Sequence, residues 1–196
     1  MMRIAGFLFI VGCASAQVVG LPIPRDALAL TVTKPLNLDF ETGDAGHVPP
    51  DWSVEQTSRL TGYAVALSRT GCHGGTGCGV MAAGPRVKRN DTGLMVQAFS
   101  AAPYRGKRMR LRAWVKLDAT DKQSRIRLLF VTDGAHADAG FMDRRGANAA
   151  EWSTMEITGT VPFRADMIHI AIALMGKGRA WIDDVSFEEA GEAPCR

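Results

Sequence analysis

The longest unbroken alternation in the chain is Met109–Leu117. Met109, Leu111, Ala113, Val115 and Leu117 are apolar, and Arg110, Arg112, Trp114 and Lys116 fall between them. A period of two sustained this long predicts a strand with one face in a core. Residues 125–131 repeat the pattern with Ile126, Leu128 and Phe130, and 36–41 and 152–161 predict further half-buried strands. Shorter strands are predicted over 63–67, 79–82 and 93–99. Residues 167–175 are more continuously apolar, as in a central strand covered on both faces. Residues 178–187 form a last strand in which Asp183 and Asp184 interrupt an apolar run. Paired acids there require solvent, an arginine or a cation to offset their burial. Turns rich in Gly, Pro and Asp separate the strands, and 132–148 reads as a long loop. The expected pairing joins 109–117 to 125–131, and Gly176-Lys177-Gly178 is read as a hairpin turn into the last strand. About nine or ten short strands without an amphipathic helix predict an all-β sandwich or barrel.

The first residues follow a different pattern. Met1-Met2-Arg3 is a positive start, Ile4 to Gly12 is apolar, and Ala14-Ser15-Ala16 is a small-x-small cleavage site. This is the form of a secretory signal peptide over 1–16, followed by a leader or linker over 17–34 with Pro22 and Pro24. Ile10-Val11-Gly12-Cys13 also fits a lipobox, in which Cys13 carries a lipid anchor. Either route predicts a periplasmic or secreted protein. The 196 residues, 46% apolar and 22% charged, fit one ordinary domain, here placed at 35–190 with a tail at 191–196. A net charge of +3 is too small to imply nucleic acid. Export favours a local disulfide between Cys72 and Cys78 across a glycine-rich loop. A zinc site would need more ligands than Cys72, His73 and Cys78 supply.

Three separated patches resemble the galactose-binding-like β-jelly roll, the fold of many carbohydrate-binding modules. They are Leu38-Asp39-Phe40-Glu41-Thr42-Gly43 with Trp52, residues 104–116, and Ala180-Trp181-Ile182-Asp183-Asp184-Val185-Ser186-Phe187. Met142-Asp143-Arg144-Arg145 before Trp152 echoes bacterial modules of this fold. The resemblance implies a β-sandwich of antiparallel strands that clasps its first and last segments together. It also implies a structural calcium held by the side chains of Glu41 and Asp183, with Asp184 as the alternative, and by carbonyls at Asp39 and near His73. Trp52, Trp152 and Trp181 fall where the family has core residues.

Candidate chemistry then rests on the even face of 109–117. Arg110, Arg112, Trp114 and Lys116, with Arg125 and Arg127 from the expected partner strand, would form a platform for a sugar ring or an anionic envelope component. The indole offers an apolar face and the guanidinium offers directed hydrogen bonds. His47, His73, His136 and His169 lie in no local catalytic or zinc motif, and the chain has no Gly-x-Ser-x-Gly and no phosphate-binding loop. His136, Asp138 and Asp133 share the long loop and read as solvated. The sequence therefore predicts a non-catalytic exported binding module. A structural or protein-interaction domain of the envelope stands beside that reading, and a hydrolase of unrecognised type behind it.

Overall fold

The structure, a computed structural model, describes residues 31–119, 122–134, 141–145 and 151–191. The leader with Cys13, residues 17–30, His136, Asp138 and Cys195 lie outside them. In chain order the strands are β1 (Ser53–Val54), β2 (Tyr63–Ser68), β3 (Cys78–Ala83), β4 (Thr92–Ser100), β5 (Arg108–Asp118), β6 (Arg125–Gly134), β7 (Phe141–Arg145), β8 (Ser153–Thr160), β9 (Ala165–Met175) and β10 (Arg179–Glu189). They form two antiparallel five-stranded sheets, ordered β1-β4-β9-β6-β7 and β2-β3-β10-β5-β8, packed as the expected β-sandwich.

The core is the space between the sheets. β5 contributes Met109, Leu111, Ala113, Val115 and Leu117, all at most 4% exposed, so its alternation reads directly as inside and outside. β9 sends Ile168, Ile170, Ile172 and Leu174 inward to face them. Each such fully buried aliphatic side chain stabilises the fold by about 1.5–3 kcal/mol. The outer side of β9 is apolar too. Ala171 and Ala173 pack with Leu94, Val96 and Leu129 in a second cluster, which explains the continuous apolar run of this middle strand.

Several sequence expectations change. First, β5 pairs with β10 and β8, whereas β6 pairs with β9 and β7 in the other sheet. The segment after β5 is a crossing between sheets, because burying two apolar faces against each other removes more surface from water than extending one ladder. Second, Gly176-Lys177-Gly178 also crosses between sheets. Gly178 (φ 128°) passes so close to β5 that a Cβ there would lie 2.5 Å from the Asp118 carbonyl oxygen. Third, residues 36–41 form a turn. Asn37 and Phe40 take left-handed φ values of 47° and 56°. This drops Phe40 into the core at 0% exposure, stacked on Trp52 with ring centroids 5.4 Å apart. Trp52 Nε1 donates to the Asn37 carbonyl, and Asn37 Oδ1 accepts from Thr42 N, fixing the turn. Fourth, a short helix α1 (Gln56–Thr61) precedes β2. The Glu55 carboxylate accepts from Ser58 N at its start, and Gly62 ends it at φ 109°. β7 lies within the stretch read as a long loop. Ahead of the predicted domain, Val32 packs on the core and its carbonyl accepts from Ser100 N at 2.7 Å.

Candidate functional site

The register of the second sheet places its outward side chains in rows. Val80 of β3, Trp181 of β10 and Lys116 of β5 lie across from one another. Ser153 of β8 pairs with Val115, so Trp152, one residue earlier, extends this row. The next row is Asp183, Trp114 and Thr154, followed by Ser186, Arg112 and Glu156, then Glu188, Arg110 and Thr158. Lys116 Nζ sits between two indoles, 4.6 Å from the Trp181 centroid and 5.0 Å from that of Trp152, and donates to the Gly71 carbonyl. Arg179 lies over Trp181 at 5.7 Å, and Arg112 over Trp114 at 5.9 Å. Arg110 is paired with Glu188 through two hydrogen bonds, at 2.7 and 3.1 Å.

Of the three tryptophans assigned to the core by resemblance, only Trp52 is there, 5% exposed. Trp152 and Trp181 are half-buried on the outer face, beside Trp114. Their parity carries the signal. Ala180 and Ile182 point inward, so Trp181 shares its side of β10 with Arg179 and Asp183; Met155 points inward, so Trp152 goes outward with Thr154 and Glu156.

A clasp borders this face. The disulfide between Cys72 and Cys78 (Cα–Cα 5.3 Å) closes the loop joining β2 to β3, as expected from the sequence. Asp183, 1% exposed, takes one end of the loop. Its Oδ2 accepts from His73 N (2.8 Å) and Gly74 N (3.0 Å), and its Oδ1 from Asp184 N. Glu41 takes the other end. Its Oε1 accepts from Thr76 N (2.8 Å) and Gly77 N (3.0 Å), and its Oε2 from the Thr76 hydroxyl. The close approach requires glycine, since a Cβ on Gly75 would fall 2.0 Å from Glu41 Oε1. The hydroxyl and N–H donors hold the Glu41 carboxyl below its ordinary value, the Thr76 hydroxyl foremost. Burial pushes Asp183 up against the pull of its three N–H donors. The bulge in β10 between Asp183 and Ser186 turns Asp184 (φ 45°) outward, where its Oδ2 meets His73 Nδ1 at 2.8 Å. His73 in turn lies flat on Trp114 and edge-on to Trp152. Asp39 Oδ1 accepts from Glu41 N within the opening turn.

These are the residues the resemblance associates with calcium. In this structure both carboxylates face N–H and hydroxyl donors, whereas calcium takes six to eight oxygen ligands. The donor set therefore fits a peptide clasp and not a calcium shell. Among the described residues the one group of three potential metal-ligating side chains within 4.8 Å is Cys72, Cys78 and Asp183, and its two sulfurs are bonded to each other.

Arg125 and Arg127 lie on β6 in the opposite sheet, so they cannot extend the basic face of β5. Their side of that sheet holds a pair the sequence reading did not join, His169 of β9 and Asp133 of β6, 3.4 Å apart. His169 is 2% exposed, and burial lowers its pKa while Asp133 opposes the shift. Thirty-six residues separate the two, so only strand register could have brought them together.

No protein-family model matches the chain. It is 27% identical over 135 residues to an uncharacterized HTH-type transcriptional regulator, YbfP, of Bacillus subtilis (strain 168), covering 67% of this chain. The chain spans about half, 45%, of the length of that relative. Among solved structures, a CBM4 module aligns with a TM-score of 0.56 at 19% identity, over 80% of this chain and all of that one. The CBM22-1 xylan-binding domain of Paenibacillus barcinonensis Xyn10C aligns with a TM-score of 0.56 at 10% identity, over 79% and 93%. The CBM22-1–GH10 modules of Clostridium thermocellum xylanase 10B, complexed with xylohexaose, align with a TM-score of 0.58 at 12% identity, over 84% of this chain and 29% of that one. The chain has the galactose-binding-like β-sandwich fold of these carbohydrate-binding modules.

Proposed function

We propose that the protein is an exported, non-catalytic module that binds a glycan or glycan-bearing envelope component through the outward face of β10, β5 and β8. The carrying observation is the gathering of Trp181, Trp152 and Trp114 on one sheet face, interleaved with Lys116 and Arg112. An indole offers the C–H side of a pyranose a flat apolar wall, and cations at its rim supply directed hydrogen bonds. The modules sharing the fold support the class of ligand, since one is a xylan-binding domain and another is complexed with xylohexaose. The signal-like first residues and the Cys72–Cys78 disulfide support an oxidising compartment. Among the described residues no helix is long and apolar enough to cross a membrane, and a lipid anchor at Cys13 is the alternative form of the proposed export. A helix-turn-helix needs two helices of several turns; the described residues hold one α-helix, of six residues, and one 3-10 turn of three, so the DNA-binding class of the regulator is not carried over.

The test is retention of the full chain on immobilised polysaccharides. Retention on at least one polymer, lost when Trp114 and Trp181 are replaced by Ala with an unchanged circular dichroism spectrum, supports the reading. Absence of retention across neutral and acidic polymers would leave the interaction-domain reading in its place.

A further inference from the structure

We infer that the cleft beside Trp181 is a subsite for an acidic sugar residue, one bearing a carboxylate or a sulfate ester, so that the glycan recognised by this face is anionic; this rests on the glycan reading above. The cleft, about 330 Å³, is lined by Trp181, Lys116 and Arg179 together with the small and hydroxyl-bearing residues Ser68, Thr70 and Gly71. It contains two cations and no acid.

How the cations are held decides the matter. Three arginines elsewhere on the surface meet carboxylates. Arg110 pairs with Glu188, Arg105 with Asp166, and Arg69 with Glu41. Among the described residues Lys116 and Arg179 have no such partner. Lys116 rests against two indole rings and the Gly71 carbonyl, and Arg179 against Trp181. Asp118 stands opposite Arg179 in register without forming an ion pair with it. Cation–π contact fixes a charged group in place but does not neutralise it. Trp181 therefore sets an ammonium and a guanidinium at fixed positions with their charge unspent. A planar carboxylate or a sulfate ester meets a guanidinium fork with two hydrogen bonds. A pyranose carrying that anion would at the same time bring apolar C–H surface to the indole. Arg179 also lines an adjoining depression of about 490 Å³ with Lys177 and Asp118, so a polymer has room to continue past the subsite beyond the C-terminal end of β3.

The experiment is affinity electrophoresis of the full chain against four polymers: a polyuronate, a sulfated galactan, a neutral galactan and xylan. Each is run at about 50 mM and about 500 mM salt, where screening separates exposed charge contacts from apolar ones. Expected is retention on one of the acidic polymers, falling by about tenfold at the higher salt and lost in both Lys116→Met and Arg179→Gln. The uronate and sulfate arms identify which anion is recognised. Arg179 is exposed, so Arg179→Gln keeps the test decisive where Lys116→Met disturbs the indoles. Retention on a neutral polymer that both variants keep would overturn the acidic subsite and leave the glycan reading standing. Acidic retention that survives Trp181→Ala and both charge variants would overturn it as general charge attraction. Retention on none of the four would overturn both readings.

Discussion

The imidazole of His73 lies flat on the indole of Trp114, with ring centroids 3.9 Å apart and planes 18° apart. Its other contacts, to Asp184 through Nδ1 and to Asp183 through its backbone N–H, tie this stack to β10. The disulfide loop thus covers one indole of the proposed binding face. His73→Ala is expected to uncover Trp114, shift tryptophan emission to longer wavelength and cost about 1 kcal/mol in denaturant unfolding. Emission identical to the wild type would show that the stack is not kept in solution.

Opening the loop acts on the same face by another route. Replacing Cys72 and Cys78 by Ser is expected to lower stability by about 2 kcal/mol, the loop-closure value for a ring this short. The urea midpoint measures the loss. If the loop holds Trp114 in its binding geometry, glycan retention falls in parallel.

The two acids of the clasp should differ in the sign of their pH dependence. Glu41 has its pKa lowered from 4.5, so its contribution is complete above that value and is lost as pH falls through the folded pKa. Asp183 has its pKa raised from 3.8, so ionisation is harder in the folded chain and its contribution declines as pH rises through the window above 3.8. The melting-temperature difference between wild type and Glu41→Gln should therefore shrink on acidification. The corresponding difference for Asp183→Asn should grow in favour of the wild type. Parallel slopes for the two variants would contradict this assignment.

Calcium and the peptide clasp compete for the same oxygens of Glu41 and Asp183. With those oxygens engaged by N–H donors, the melting temperature is expected to be indifferent to millimolar calcium and to chelator. A rise with calcium that Glu41→Gln abolishes would put a cation between the first and last segments after all.

Much of the sandwich was legible because strand parity is a local property. Met109–Leu117 states which side chains enter the core, and the same parity in β10 and β8 places Trp181 and Trp152 outside it. The family pattern gave the opposite assignment, and the alternation was the better guide. Sheet membership was not legible. The turns after β5 and β9 look like hairpin turns, yet both carry the chain to the other sheet, a choice made by burial between layers that no short window contains. The turn at 36–41 was hidden because alternation suggests a strand, while Asn37 and Phe40 adopt φ values open to few residues. α1 was missed because Ser58 is its one buried position, which leaves no apolar stripe to read. In the candidate site the acids and cysteines were visible, but the N–H donors that meet them belong to the backbone and carry no sequence signature.

β9 and β10 are the middle strands of the two sheets, and they follow each other near the end of the described chain. A chain emerging from its N-terminus therefore accumulates flanking strands whose central partners do not yet exist. β4 and β6 wait for β9, and β3 and β5 wait for β10. Until Ala165 and the residues after it arrive, each half-sheet has a gap at its centre and unpaired backbone on both sides of it. Such a chain has few native local pairings to lock in early, and its folding is set by closures over long sequence separations. This order of synthesis delays commitment to the fold until almost the whole domain is present.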